Sequence, residues 1–139
     1  MSRKQKQYFI IVDTETTIND TVADFGAVVV DSKGTIVDQY SCMVRGQFDT
    51  VSLFYDKKAS GLWAQASVSR RTQAYYDMLD AGARILAAVP AINQWLESVS
   101  KKYAPILTAY NLAFDTTKCA NTGINLELFP QQFCLWAAA

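Results

Sequence analysis

The sequence predicts an α/β fold in which a mixed β-sheet, an antiparallel meander followed by a parallel strand, is flanked by helices. Three observations carry this prediction. Residues 8–44 contain three β-prone segments separated by turn residues. An apolar stripe at helical spacing follows between residues 85 and 103. A short apolar segment comes after that stripe, and a strand reached through helices pairs in parallel.

The meander is predicted from three strands and two turns. Residues 8–12 (YFIIV) are an apolar run that suits a strand buried on both faces. Residues 18–21 form a turn, and residues 22–30 form the second strand. The turn sequence at residues 31–34 leads into a third strand over residues 35–44. Strands joined by tight turns are antiparallel neighbours.

The middle of the chain is predicted to be a long connection and two helices. Residues 45–67 show little periodicity and are interpreted as a connection with room for one short helical turn. A helix is predicted from Ser69 until the Asp80-Ala81-Gly82 stop. The second helix has one continuous apolar stripe: Ile85, Val89, Ile92, Leu96, Val99 and Tyr103. Because Pro90 lies inside the stripe, this helix either kinks there or begins near it.

The last third of the chain returns to the sheet. Residues 105–110 are predicted to be a short buried strand. Asn111 can cap a helix over residues 112–122, and Gly123 is its C-terminal stop. Residues 133–139 (FCLWAAA) are apolar, which indicates a further strand or the start of a helix.

Composition limits the classes of function. The 139 residues fit one domain, assigned to residues 8–139, and residues 1–7 are predicted to be a flexible basic tail. Lys plus Arg equals Asp plus Glu, 13 against 13, which argues against binding polyanions by bulk charge. The chain has no histidine, which excludes histidine triads, histidine-ligated zinc and a histidine general base.

Cysteine usage and hydropathy bear on the compartment. The cysteines Cys42, Cys119 and Cys134 lack Cys-x-x-Cys spacing and are interpreted as reduced thiols of a cytoplasmic protein. No apolar stretch is long enough to cross a membrane, and the N-terminus lacks the apolar region of a signal peptide. We therefore expect a cytoplasmic protein without a membrane partner.

Two carboxylates follow the first strand directly. Asp13 and Glu15 are two residues apart, so they point to the same side of a strand. Like charges this close repel, and a divalent cation with oxygen ligands is the natural counter-charge. A bare Asp-x-Glu is a weak motif, and a strand ending in a polar turn explains it equally well. Asp24 is interpreted as a turn or solvent-face residue.

A third carboxylate is expected near the first two. Asp115 lies in the first turn of the helix that Asn111 begins. If the preceding strand runs beside residues 8–12, Asp115 approaches Asp13 and Glu15 at the carboxyl ends of parallel strands. Taken alone, Asp115 is better explained as a first-turn acid favoured by the helix dipole, and only the combination with Asp13 and Glu15 favours a site.

The two motifs together resemble those of a known family. IVDTETT, followed about a hundred residues later by LTAYNLAFD, resembles motifs I and II of the DnaQ-like (DEDD) 3′–5′ exonucleases. The resemblance implies a ribonuclease H-like fold with a five-stranded mixed sheet. It also implies hydrolysis of terminal phosphodiesters in DNA or RNA to nucleoside 5′-monophosphates, with single-stranded 3′ ends as partners.

The resemblance assigns roles to residues of both motifs. Asp13, Glu15 and Asp115 match the catalytic acids that hold two Mg²⁺ or Mn²⁺ ions. Backbone N–H groups around Thr14, Thr16 and Thr17 would meet the 3′-terminal nucleotide. Asn111, at a helix N-terminus, would lie near a phosphate.

The chain also departs from the family pattern. Motif III, which supplies a fourth metal-binding Asp and a His or Tyr general base, is expected downstream of residues 133–139. We therefore expect an incomplete domain, C-terminally truncated, with one ligand of the two-metal site missing. Part of one sheet face should then be open to water or buried against another copy in a homo-oligomer. Asp20 and Asp24 are not expected to replace the missing metal ligand of motif III.

Other functions remain open. A catalytically inactive nucleic-acid-binding module derived from such an exonuclease keeps the pocket without assembling both metals. A phosphatase of the Asp-x-Asp type also places acids at a strand end, but this chain has Glu15 at the second position. The basic pairs Lys57-Lys58 and Arg70-Arg71 could line a strand path, although exposed solubilising charge is their default interpretation.

Overall fold

The computed structural model describes residues 6–55 and 61–138. Within this part of the chain, six strands form one sheet in the order β4-β3-β2-β1-β5-β6. The strands are β1 (Tyr8–Thr16), β2 (Val22–Asp31), β3 (Ile36–Val44), β4 (Leu86–Ala87), β5 (Ile106–Ala109) and β6 (Gln132–Cys134). The helices are α1 (Gly61–Asp80), α2 (Val89–Tyr103), α3 (Leu112–Thr122) and α4 (Leu135–Ala138), with a 3-10 turn at Leu126–Leu128.

The predicted mixed sheet is confirmed. Strands β1, β2 and β3 form an antiparallel meander, in which Ile10 pairs with Val29. Strand β5 then pairs with β1 in parallel, with Ile10 opposite Leu107, and β6 pairs in parallel with β5. The path through α1 and α2 between β3 and β5 explains this direction, because parallel strands need a long crossover.

The main core lies on one face of the sheet. Ile10 and Val12 of β1 are buried there, together with Ile92 and Leu96 of α2. Neighbouring strand residues point to opposite faces, so Ile11 faces away from this core and is 38% exposed. The prediction that residues 8–12 are buried on both faces is therefore wrong.

Helix α1 is longer than its apolar pattern predicts. It ends at Asp80, so the predicted helix and its Asp80-Ala81-Gly82 stop are confirmed. It begins at Gly61, so the predicted start at Ser69 and the connection up to residue 67 are wrong. Its apolar residues Val68, Tyr75 and Leu79 pack against a second cluster, formed by Ala23, Met43, Phe48 and Leu53. Tertiary packing of this face stabilises the helix from Val68 onward.

The helix stripe predicted from Ile85 starts too early. Ile85 is exposed, and Leu86–Ala87 forms β4, which pairs in parallel with Met43 and Val44. Helix α2 begins at Val89 with Pro90 in its first turn, which is one of the two alternatives that the sequence left open. Proline suits the first turn of a helix because backbone N–H groups there have no partner within the helix, so the N–H that proline lacks is not missed. Proline also disfavours helical backbone at the preceding residue, which favours a helix that begins near Pro90.

The C-terminal third follows its predicted order. Helix α3 ends at Thr122, and Gly123 follows it with a φ of 87°, the left-handed conformation of a C-terminal stop. Residues 132–138 form a strand and then a short helix. Residues 1–5 of the predicted basic tail and the pair Lys57-Lys58 lie outside the described residues. Among the described helices, none combines the length and apolar composition needed to cross a bilayer.

Candidate functional site

Asp115 reaches the end of β1 through a hydrogen bond. Helix α3 starts shortly after β5, the parallel neighbour of β1, and therefore places its first turn near the carboxyl end of β1. The Thr14 hydroxyl donates to Asp115 Oδ1 at 2.8 Å, joining residues 101 positions apart in the chain. Asp115 is only 7% exposed. The structure thus brings the late acid to the Asp-x-Glu motif.

The three predicted acids approach the end of β1 from two sides. Thr14 points to the face covered by α3, whereas Asp13 and Glu15 alternate to the other face. Asp13 and Asp115 nevertheless interact electrostatically. Burial raises the pKa of the Asp115 carboxyl, the Thr14 hydrogen bond opposes this rise, and the negative charge of Asp13 adds to it.

On the second face, Asp13 and Glu15 line an open pocket of about 380 Å³. Its other walls include Asp24, Gly26 and Tyr75. Gly26 is the cross-strand partner of Asp13, so no side chain stands opposite this carboxylate. Asp13 is solvent-exposed in the pocket. It is therefore the acid that can meet a ligand without rearrangement.

Glu15 already has two partners from α1. Arg71 forms an ion pair with Glu15 Oε1, and the Tyr75 hydroxyl donates to Glu15 Oε2. Arg71 and Tyr75 are four residues apart, so they lie on the same face of the helix. Glu15 is therefore balanced by a guanidinium from α1, and the prediction that this acid needs a bound cation for charge balance is wrong.

Asp24 is a site residue that the sequence interpretation missed. It is the cross-strand partner of Glu15, accepts a hydrogen bond from the Tyr75 hydroxyl at 2.8 Å and pairs with Arg84. Its assignment to a turn or solvent face is wrong. Uniform counting outward from the predicted turn at residues 18–21 also pairs Glu15 with Asp24, although the observed ladder reaches this pair through a register shift between Glu15 and Thr16.

No register or spacing argument of this kind places Arg71, Tyr75 or Arg84 beside the acids. Like charges directly opposite each other on neighbouring strands are destabilising, and the Tyr75 hydroxyl has one proton to share between Glu15 and Asp24. The two arginines balance these carboxylates. Burial, followed by its contacts with both acids, raises the pKa of Tyr75, so its phenol is a donor at neutral pH.

The predicted substrate-binding residues lie around the same strand end. Thr16 and Thr17 are buried, and the Thr17 amide donates to the Thr21 carbonyl at 2.9 Å. Asn111 occupies the N-cap position of α3, but its side chain makes no capping hydrogen bond. Thr14 orients Asp115. A role for these residues in substrate binding stays a prediction.

Two of the three predicted acids offer oxygen ligands that suit a hard divalent cation. Asp13 and Asp115 offer carboxylate oxygens, the ligands that Mg²⁺ and Mn²⁺ prefer. Both oxygens of Glu15 are engaged by α1. Among the described residues, no three His, Cys, Asp or Glu side chains come together as a preformed metal site.

The other large cavity and the cysteine thiols are weaker candidates for a functional site. A larger cavity, of about 530 Å³, lies at the opposite end of β1 and β5, and the described residues that line it include no carboxylate. Burial raises the pKa of Cys42 to about 11 and that of Cys119 to about 12, so neither thiol is a nucleophile at neutral pH. The cysteines, all within the described part of the chain, form no disulfide.

Comparison with known proteins adds no assignment: no protein-family model matches the chain, and no curated protein or solved structure matches it significantly.

Proposed function

We propose that the chain is a metal-dependent 3′–5′ exonuclease of the DnaQ-like type with a ribonuclease H-like fold. The observation that carries this proposal is the hydrogen bond from Thr14 to Asp115, which joins the two motifs at the carboxyl end of β1. That edge is where open α/β sheets bind their ligands. The sheet order supports the fold, since β3-β2-β1-β5-β6 is a five-stranded mixed sheet once the two-residue β4 is set aside.

Each side chain of the site has a definable task in this reaction. Asp13 and Asp115 would hold a divalent cation, with Glu15 as a third ligand. When bound, Mg²⁺ or Mn²⁺ would supply Lewis-acid stabilisation to the charge that develops on phosphodiester oxygens. Thr14 fixes the orientation of the Asp115 carboxyl, and Tyr75, which remains protonated, donates hydrogen bonds and does not act as a base.

Exposed aromatic side chains favour a single-stranded nucleic acid as the substrate. Tyr110 is 71% exposed and Trp136 is 62% exposed, and the Trp136 backbone N–H donates to the Tyr110 carbonyl at 2.8 Å. Phe114, next to Asp115, is also exposed. Bases stack on such rings without sequence preference, which compensates for the absence of a basic excess.

We predict that Tyr110→Ala and Trp136→Ala each weaken single-strand binding by about 5- to 150-fold, because base–aromatic stacking contributes about 1–3 kcal/mol per base. Fluorescence anisotropy with a labelled oligothymidine in EDTA measures binding without cleavage. Tyr76→Ala, an exposed aromatic on α1, is the matched control and should leave the affinity unchanged. Equal effects of all three substitutions would contradict the stacking surface.

Gly26 provides a prediction about the pocket. A Cβ added at Gly26 meets the Asp13 carbonyl at 3.7 Å, an ordinary contact, so Gly26→Ala should fold and bind Mn²⁺ normally. Gly26→Leu extends a side chain into the space opposite Asp13 and should reduce cleavage by about 10²-fold through misplacement of the substrate. Thermal unfolding checks that both variants fold, and unchanged cleavage by Gly26→Leu would place the reaction elsewhere.

The decisive experiment follows a 5′-labelled single-stranded oligonucleotide, DNA and RNA in turn, with Mg²⁺ or Mn²⁺. An exonuclease shortens the labelled strand stepwise from its 3′ end, and a phosphorothioate at the last linkage slows the first step. Internal cleavage or release of inorganic phosphate alone would contradict the proposed activity. The phosphatase alternative predicts the second of these results.

The second candidate function is a non-catalytic nucleic-acid-binding module. It is favoured by one observation, that both carboxylate oxygens of Glu15 are engaged by Arg71 and Tyr75. This candidate predicts oligonucleotide binding that depends on Tyr110 and Trp136, with no shortening of the strand under either metal.

A further inference from the structure

Arg71 is held at two points beside the pocket. Its Nη1 pairs with Glu15 Oε1, and its Nη2 donates to the Phe54 carbonyl at 2.8 Å. The Phe54 amide in turn donates to the Thr16 carbonyl at 2.8 Å, so the residue whose carbonyl receives Arg71 is itself fixed to β1. The guanidinium therefore bridges α1, the loop before it and the motif I strand.

We propose that Arg71 is the internal counter-ion of Glu15, which a divalent cation must displace before Glu15 can join Asp13 and Asp115. This inference rests on the proposed function and concerns the regulation of the same site. The Arg71 guanidinium and a divalent cation are both positively charged, so they repel each other when both contact the Glu15 carboxylate. Arg71 and the cation consequently compete for one ligand.

The electrostatics explain why such a counter-ion is needed. Without Arg71, Glu15 would face Asp24 across the strand pair and Asp13 along its own strand. Three carboxylates would then repel one another in the metal-free protein. Arg71 relieves that repulsion, and Arg84 does the same for Asp24.

The exposure of the pair makes exchange feasible. The side chains of Arg71 and Glu15 are 36% and 27% exposed, so water can solvate the guanidinium as it leaves. A deeply buried pair would resist separation much more strongly. Once released, the planar guanidinium stands at the pocket rim with a geometry that matches phosphate oxygens.

The test measures Mn²⁺ affinity by the electron paramagnetic resonance signal of the free ion, without substrate. Arg71→Gln should bind Mn²⁺ about tenfold more tightly than the unaltered protein, the scale expected for losing one competing charge-assisted hydrogen bond. Arg70→Gln is the matched control, because it removes an equal charge from the adjacent, exposed position. Its affinity should stay within about twofold, since exposed charges interact weakly through water.

Two further variants make the result specific. Arg71→Lys keeps the charge but loses the fork, and should give a smaller gain in a protein that folds normally. In a Glu15→Gln background, Arg71→Gln should give no gain, because the contested ligand is absent. Thermal unfolding monitored by circular dichroism confirms that each variant is folded.

The outcomes separate the inference from the proposed function. Equal or weaker Mn²⁺ binding by Arg71→Gln, or an equal gain in Arg70→Gln, overturns the counter-ion role and leaves the exonuclease proposal standing. If neither the unaltered protein nor Arg71→Gln binds Mn²⁺ at millimolar concentration, both the inference and the cation site are overturned.

Discussion

Asp13→Asn is expected to abolish strand shortening while leaving the protein folded. Asp13 is exposed in the pocket, so the amide, which has the same shape, fits without a packing change. Loss of the carboxylate removes a ligand that the proposed cation needs. Metal ions supply several kcal/mol of transition-state stabilisation, which corresponds to a decrease in rate of about 10³-fold or more.

The measurement is the initial rate of 3′ shortening of a labelled strand, together with the thermal midpoint of each protein. Asp77→Asn is the matched control, because Asp77 is an exposed acid on α1 that accepts a bond from Gln73. It should retain full activity. If both variants lose activity equally, general charge and not a cation ligand is responsible, and Asp13 loses its assigned role.

Asp115→Asn is expected to abolish activity and to raise stability at neutral pH. Burial raises the pKa of Asp115 above its ordinary 3.8, because the folded protein disfavours the charged form. The folded state therefore holds the proton more tightly than the unfolded chain. The free energy of unfolding therefore falls as the pH rises from 3.8 through the raised pKa of Asp115, and it stays lower at higher pH.

The amide of Asp115→Asn carries no charge and can still accept the hydrogen bond from the Thr14 hydroxyl. The variant therefore does not lose stability as the pH rises. We expect Asp115→Asn to have the higher thermal midpoint at pH 7.5 and a midpoint close to that of the unaltered protein below pH 3.8. Circular dichroism melts at the two pH values test this. A lower midpoint at pH 7.5 would show that the ionised Asp115 contributes to folding.

Asp31→Asn is the control of opposite sign. The backbone N–H groups of Thr35 and Lys33 donate to Asp31 and lower the pKa of that carboxyl. Its ionised form is therefore favoured in the folded state, and the contribution to stability is lost as pH falls. Asp31→Asn should lower the midpoint at pH 7.5 and leave activity unchanged, since Asp31 pairs with the end of β1 far from Asp13.

Local sequence was sufficient to predict most helices and strands, but not the residues at which they begin and end. The turns at residues 18–21 and 31–34 bring β1, β2 and β3 together because nearby residues alone determine a hairpin. The strand at Leu86–Ala87 depends instead on distant partners, Met43 and Val44 of β3. Such partners leave no periodic signal in their own segment.

The candidate site divides in the same way. The positions of Asp13 and Glu15 on one face follow from the period of a strand, and the position of Asp115 near β1 follows from the βαβ path of the chain. The partners of these acids do not follow. Arg71 is, in sequence, an ordinary exposed base, and only the packing of α1 over the pocket turns it into the counter-ion of Glu15.

By itself, the sequence determined the mixed α/β sheet and the three acids at one sheet edge, because side-chain alternation and chain connectivity are local properties. The tertiary structure alone decided that Asp24 faces Glu15 and that arginines of distant segments neutralise both. Charge balance is a property of space and not of sequence separation, so it appears only once α1 lies against the sheet.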